Sequence, residues 1–94
     1  MNIVVFFSGT GTNLQSILQN EEKLNYKVIS TFTNNPDANG IDISKNFNVD
    51  CKILDHKKFD SREKFDEEIN IYLQKLNPDY VILAGYMRIL SNFL

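Results

Sequence analysis

The sequence contains a single cysteine, two prolines, four glycines and one histidine in 94 residues. Cys51 has no partner for an internal disulfide, and its place in an apolar stretch reads as a small core residue rather than a reactive thiol. A reducing, cytoplasmic setting fits that usage. No apolar run approaches the roughly 18 residues that a membrane-spanning helix needs, so no membrane is expected. The apolar N-terminus has neither a basic leader nor a small-residue cleavage site, which excludes a signal peptide. There is no excess of positive charge. The net charge of −2 gives no footprint for nucleic acid or an anionic membrane. Internal repeats and low-complexity tracts are absent too, since the many Asn and Lys residues are dispersed.

What is present is ordinary for a soluble globular chain, with 43% hydrophobic and 23% charged residues. Ninety-four residues allow one small domain. The organising stretch is Ile3-Val4-Val5-Phe6-Phe7 running into Ser8-Gly9-Thr10-Gly11-Thr12-Asn13-Leu14-Gln15. The apolar run predicts a strand buried on both faces. Two glycines then permit a tight turn. Thr12 with Gln15 three residues on has the capping-box pattern that opens a helix. Free backbone N–H groups and the positive end of a helix dipole converge at such a turn, which suits an anion, usually phosphate. It is not a P-loop, because no Gly-Lys-Ser/Thr follows. It is not a full dinucleotide fingerprint either, because Leu14 occupies the third glycine position. Local features leave both an anion site and a plain capped turn open.

Further along, the pattern predicts a helix over about 13–20, a solvated stretch at Glu21-Glu22-Lys23 and a second strand over 26–32. Asn34-Asn35-Pro36-Asp37 reads as a turn, with Asp37 capping a weak helix over about 38–46. Gly40 lowers that helix's propensity. Asn48 suits the left-handed position that closes it. A third strand spans 49–54 and leads to the polar connection Asp55-His56-Lys57-Lys58, where His56 reads as a solvent-exposed loop residue. Asp60 with Glu63 resembles a capping box. Phe65, Ile69, Tyr72, Leu73 and Leu76 form the core face of the following helix, and Asp66, Glu67 and Lys75 its outer face. Asn77-Pro78 ends it. Tyr80-Val81-Ile82-Leu83-Ala84, apolar throughout, predicts a central fourth strand.

Strands and helices alternating at this spacing predict an α/β fold, a Rossmann-like open parallel sheet truncated after about the fourth strand. All strands then point one way. Ser8–Asn13, Asn34–Asn35, Asp55–His56 and Gly85–Leu90 therefore emerge on the edge where such sheets bind ligands. Thr33-Asn34 stand where a dinucleotide enzyme carries a ribose-binding acid at the end of its second strand, which with Leu14 argues against an NAD- or NADP-dependent oxidoreductase.

Three motifs together carry a resemblance: Met1-Asn2-Ile3-Val4-Val5 leading to Ser8–Gln15, Phe59-Asp60-Ser61-Arg62-Glu63, and Leu83-Ala84-Gly85-Tyr86-Met87-Arg88-Ile89-Leu90. Their order and spacing resemble the phosphoribosylglycinamide formyltransferases of purine biosynthesis, over nearly the whole chain. The resemblance implies formyl transfer from 10-formyltetrahydrofolate to the amine of glycinamide ribonucleotide, with no metal. It implies that Gly11, Thr12 and Asn13 hold the substrate phosphate, that Arg62 contributes to the folate site, and that Met87, Arg88, Ile89 and Leu90 pack against and hydrogen-bond the pterin. The family's catalytic Asn, His and Asp lie downstream of the Met-Arg-Ile-Leu segment, so this stretch carries no catalytic residue. Leu54-Asp55-His56-Lys57 does not match the family's Asn-x-His-Pro, and His56 is not a substitute. Asn92 departs from a proline frequent in the family. The expectation is the N-terminal part of the enzyme, inactive alone, needing its missing half in trans or prone to self-association. The alternative is a non-catalytic phosphate-binding remnant.

Overall fold

Strand β1, Asn2–Phe7, lies between two other strands, and its side chains divide alternately between two cores. Ile3, Val5 and Phe7 face one layer, and Val4 and Phe6 the other. Residues 4–7 are wholly shielded from solvent, as an unbroken apolar run requires of a strand covered on both faces. The computed structural model describes residues 1–9 and 12–84, Thr12 by its backbone alone.

Helix α1 (Thr12–Gln19) follows, then the short α2 (Glu21–Leu24), β2 (Lys27–Thr33), α3 (Gly40–Asn46), β3 (Cys51–Ile53), α4 (Arg62–Leu76) and β4 (Tyr80–Leu83). A 3₁₀ turn at His56–Lys58 precedes α4. The sheet order is β3-β2-β1-β4, and each pair is parallel. Helices α1 and α3 cover one face through Leu14, Leu18 and half-buried Ile41 and Ile43. Helix α4 covers the other through Phe65, Ile69 and Leu73. This is the expected Rossmann-like α/β arrangement.

The register between β1 and β2 slips at one point, Ile3 opposing Val28 but Val4 opposing Ser30. This bulge switches the faces of β2. Val28 joins the α1 core, whereas Phe32, four residues on, joins the α4 core and stacks on Phe6 at 4.6 Å. Polar β2 residues find partners in both layers. Thr31 Oγ1 is 2.7 Å from Ser44 Oγ of α3. The Ser30 and Tyr72 hydroxyls are hydrogen-bonded, and Tyr72 also donates to the Thr31 carbonyl.

Several local expectations are corrected. Helix α3 starts at Gly40 rather than residue 38, with Asn39 and not Asp37 at its N-cap. The Asp37 N–H is instead held by Asn35 Oδ1 within the turn. Gly40 reflects packing as much as weak propensity: a Cβ there would lie 2.4 Å from the buried Phe7 ring. Ser61, not Asp60, caps α4, its hydroxyl accepting from Lys64 N–H, while Asp60 pairs with the Lys64 ammonium. Glu21 is not simply solvated, since its carboxylate accepts from Val28 N–H at 2.7 Å. Asp66 lies inside α4's buried face and not on its outer face, only 2% exposed. Strand β4 is an edge strand rather than a central one among the described residues, because they supply no neighbour on its far side. Asn48 is left-handed as expected, with Asn25 and Asn77 taking the same conformation after α2 and α4.

Candidate functional site

The strand order reverses at β1. Strands β2 and β3 lie to one side of it and β4 to the other. The crevice beyond the C-terminal ends of β1 and β4 is therefore the switch point at which open α/β sheets receive ligands. The loop from Ser8 leaves β1 at this point. Ala84, whose N–H donates to the Phe6 carbonyl at 2.8 Å, leads out of β4 beside it.

Ser8 is fixed from two directions. Its hydroxyl donates to Asn34 Oδ1 at 2.8 Å, and its carbonyl accepts from Asn35 Nδ2 at 3.3 Å. Both bonds tie the end of β1 to the end of β2, so the loop departs from an anchored residue. A Cβ added at Gly9 would meet no atom within 4 Å. This glycine is not demanded by internal packing, and its bare backbone leaves an open approach. Asn13 is exposed in the first turn of α1, and that turn holds no acidic residue to offset the positive end of the helix. Leu14 is wholly buried in the core, which accounts for an apolar residue at the third glycine position.

Beside this loop is a cleft of about 400 Å³ lined by Ser8, Asn34, Asn35, Pro36, Asp37, Asp55, His56 and Lys57. It unites three of the four segments expected to share the edge. His56 is partly buried rather than solvent-exposed. The 3₁₀ turn, capped by Asp55 through Lys57 N–H, presses its ring edge-on to Phe65 at 6.2 Å. Its Nδ1 lies 3.4 Å from both the Asn34 side-chain nitrogen and the Asn34 carbonyl, so the tautomer selects one partner. The Ser8–Asn34–His56 chain was not expected. Strand polarity predicts the edge that these three residues share, but not the hydrogen bonds that link them.

Arg62 stands in the first turn of α4. That helix returns from the ligand edge to the start of β4, which puts Arg62 at the same end as the cleft. Its side chain is 46% exposed, with Nε 3.8 Å from the buried Asp66 carboxylate. Gly11 and the segment Met87, Arg88, Ile89 and Leu90 lie outside the described residues, as does the Thr12 side chain. Cys51 is half-buried, and burial pushes its thiol above the usual range, as befits an inert core thiol. Among the described residues no helix is long and apolar enough to cross a membrane.

The sequence matches the formyl transferase family over residues 1–94. It is 41% identical over 93 residues to the phosphoribosylglycinamide formyltransferase of Escherichia coli K12, covering 97% of this chain and 44% of that protein. Among solved structures, the phosphoribosylglycinamide formyltransferase of Campylobacter jejuni superimposes with a TM-score of 0.87 at 35% identity, over 97% of this chain and 50% of that one. That of Coxiella burnetii superimposes with a TM-score of 0.92 at 33% identity, over 97% and 44%. The chain thus spans about half the length of these relatives. With its anchored loop at the switch point of a four-stranded parallel sheet and a family match along its whole length, the chain belongs to the formyl transferases.

Proposed function

We propose that the chain is the amino-terminal part of a phosphoribosylglycinamide formyltransferase domain. The carrying observation is the 41% identity to the E. coli enzyme across 93 residues. In this reading, glycinamide ribonucleotide and 10-formyltetrahydrofolate are the substrates, and the work belongs to purine biosynthesis in the cytoplasm. Gly11, Thr12 and Asn13 hold the ribonucleotide phosphate at the loop after β1. Support comes from the open backbone at Gly9, the uncompensated start of α1 and the anchoring of Ser8. Arg62 meets the folate, and Met87, Arg88, Ile89 and Leu90 form the slot for its pterin. A flat heterocycle wants an apolar slot with a few backbone donors and acceptors.

The reaction has the substrate amine attack the formyl carbon through a tetrahedral intermediate. It requires a proton acceptor, a proton for the departing nitrogen and stabilisation of the oxyanion. The resemblance places those groups downstream of Met87–Leu90, so these 94 residues bind and position without turning over. His56 is engaged with Asn34 and Phe65 and takes no catalytic part.

The test is titration of the purified, isotope-labelled chain with glycinamide ribonucleotide, followed by amide NMR. Saturable shifts centred on residues 8–13 are expected, abolished by Gly11→Val, which obstructs close backbone approach to the phosphate. Unchanged affinity in Gly11→Val would remove the loop from the site. Absence of binding by a chain with a dispersed spectrum overturns the reading. Formyl transfer by the pure chain, free of full-length enzyme, overturns the claim that it lacks the chemistry.

A further inference from the structure

The hydrogen bonds from Ser8 to His56 have a direction. The Ser8 hydroxyl donates to Asn34 Oδ1 at 2.8 Å. On the other side of the same carboxamide, Asn34 Nδ2 lies 3.4 Å from His56 Nδ1, which accepts when it carries no proton. The carboxamide is thus an acceptor towards Ser8 and a donor towards His56. Asn34 is 7% exposed and Ser8 8%, so a bond lost at this carboxamide is not simply replaced by bulk water. The three residues come from the ends of β1 and β2 and from the turn after β3, and all of them line the cleft.

We propose that Asn34 and His56 are positioning residues for the phosphate loop, and that a proton on His56 Nδ1 reverses the direction of the Ser8 hydroxyl. Protonation turns Nδ1 from acceptor to donor. It then faces Asn34 Nδ2 as donor against donor. Turning the carboxamide over restores the match. Nδ1–H donates to Oδ1, with the Asn34 carbonyl, 3.4 Å from the same nitrogen, as a second acceptor. Nδ2 donates to Ser8 Oγ, which leaves the Ser8 proton available to an anion held at the loop that follows. Ser8 therefore offers that anion a lone pair in one state and a proton in the other, and only the second is attractive. The inference rests on the functional reading above and adds a regulation to that same site. Histidine ordinarily changes charge between about pH 5 and pH 8, so anion affinity rises as pH falls through that range. The charged groups around the cleft are Asp37, from the turn after β2, and Asp55 and Lys57, from the turn that carries His56. Helix α4 meets the ring with Phe65, and the charges beside Phe65 on that helix, Arg62 and Asp66, pair with each other.

The experiment follows the full chain by NMR as pH is lowered, first without ligand and then with inorganic sulfate, whose own charge is constant over the range. Without ligand, the Asn34 side-chain amide resonances should move with the same midpoint as the His56 ring protons. Sulfate affinity should rise at least about fivefold across that range, the gain of one charge-assisted hydrogen bond. His56→Asn keeps a polar group near the Nδ1 position but cannot take up charge, and its profile should be flat. Ser8→Ala keeps the histidine's charge but has no hydroxyl to turn, and its profile should be flat too. Lys57→Gln removes a charge from the same cleft and should keep the slope. For glycinamide ribonucleotide, whose phosphate titrates in this range, the measure is the ratio of wild-type to His56→Asn affinity, which should rise as pH falls. A slope that persists in Ser8→Ala assigns the effect to charge at a distance and overturns the proposal. Asn34 amide resonances that ignore the His56 titration overturn it as well, and they are read on the unaltered chain. Binding that does not depend on His56 sinks the proposal alone. A folded chain that binds neither ligand at any pH sinks the phosphate reading, and the proposal with it.

Discussion

The Ser8 hydroxyl donates to the Asn34 side-chain carbonyl across 2.8 Å, both residues more than nine-tenths buried. The bond joins the residues that directly follow two neighbouring parallel strands, and everything that follows Ser8 departs from that point. Ser8→Ala removes the donor and leaves a buried carboxamide oxygen short of a bond. The expected cost is about 1–3 kcal/mol, read from the urea midpoint. If the loop holds the ribonucleotide phosphate as proposed, affinity for glycinamide ribonucleotide should fall along with it, because the loop loses its anchor.

Gly40 invites substitution on propensity grounds, since alanine is preferred to glycine in a helix by about 1 kcal/mol. The packing argues the other way. The new methyl would meet three atoms of the Phe7 ring, the nearest at 2.4 Å, and that ring is wholly buried between β1 and its neighbours. Gly40→Ala should therefore destabilise by about 1–3 kcal/mol. A rise in thermal midpoint would show that the ring has room to move.

Tyr72 supplies a pH dependence. Burial, the leading cause, penalises the phenolate and pushes its pKa up to about 12, with the Ser30 hydroxyl opposing the shift. The folded chain holds this proton more tightly than the unfolded chain, whose tyrosine titrates near its ordinary 10. The associated stability is complete below pH 10 and is lost as pH climbs towards 12. Tyr26 shifts the same way, through burial and then Glu21. Denaturant unfolding from pH 9 to 12 should show a decline that is shallower in Tyr72→Phe.

Arg62 and Asp66 make a separate case. The carboxylate is buried and the guanidinium half-exposed, 3.8 Å apart on successive turns of α4. Asp66→Ala should cost about 2 kcal/mol and remove one of the arginine's partners. If Arg62 meets the folate as proposed, Asp66→Ala also weakens folate binding while ribonucleotide binding is kept. Equal loss of both ligands would assign Asp66 to the scaffold alone.

The layout was legible wherever a local pattern met a single physical demand. The run Ile3–Phe7 could be satisfied only by burial on both faces, and it is. Asn48, after an amphipathic segment, could close a helix in the left-handed region, and it does. The edge that gathers Ser8, Asn34 and His56 followed from strand polarity alone. What escaped were matters of partners. Asp66 reads as a surface charge until the packing of α4 turns it inward beside Arg62. Asp60 and Ser61 are adjacent cap candidates, and a one-residue choice depends on where the chain turns extended. The slip in β2 leaves no mark in composition, because Val28, Ser30 and Phe32 keep an even spacing whichever faces they take.

The placement of β1 between β2 and β4 has a consequence in time. Among the described strands it comes first in the chain, and its second edge is paired only by the last of them, β4. Asn2 N–H is bonded to an Asp79 side chain 77 residues later. Until β4 is synthesised, one side of the most apolar segment in the chain stays unpaired while β2 and its helices are already able to assemble on the other. Closure of this sheet is thus a late, long-range step, of the kind that slows folding and leaves a growing chain dependent on protection from its neighbours.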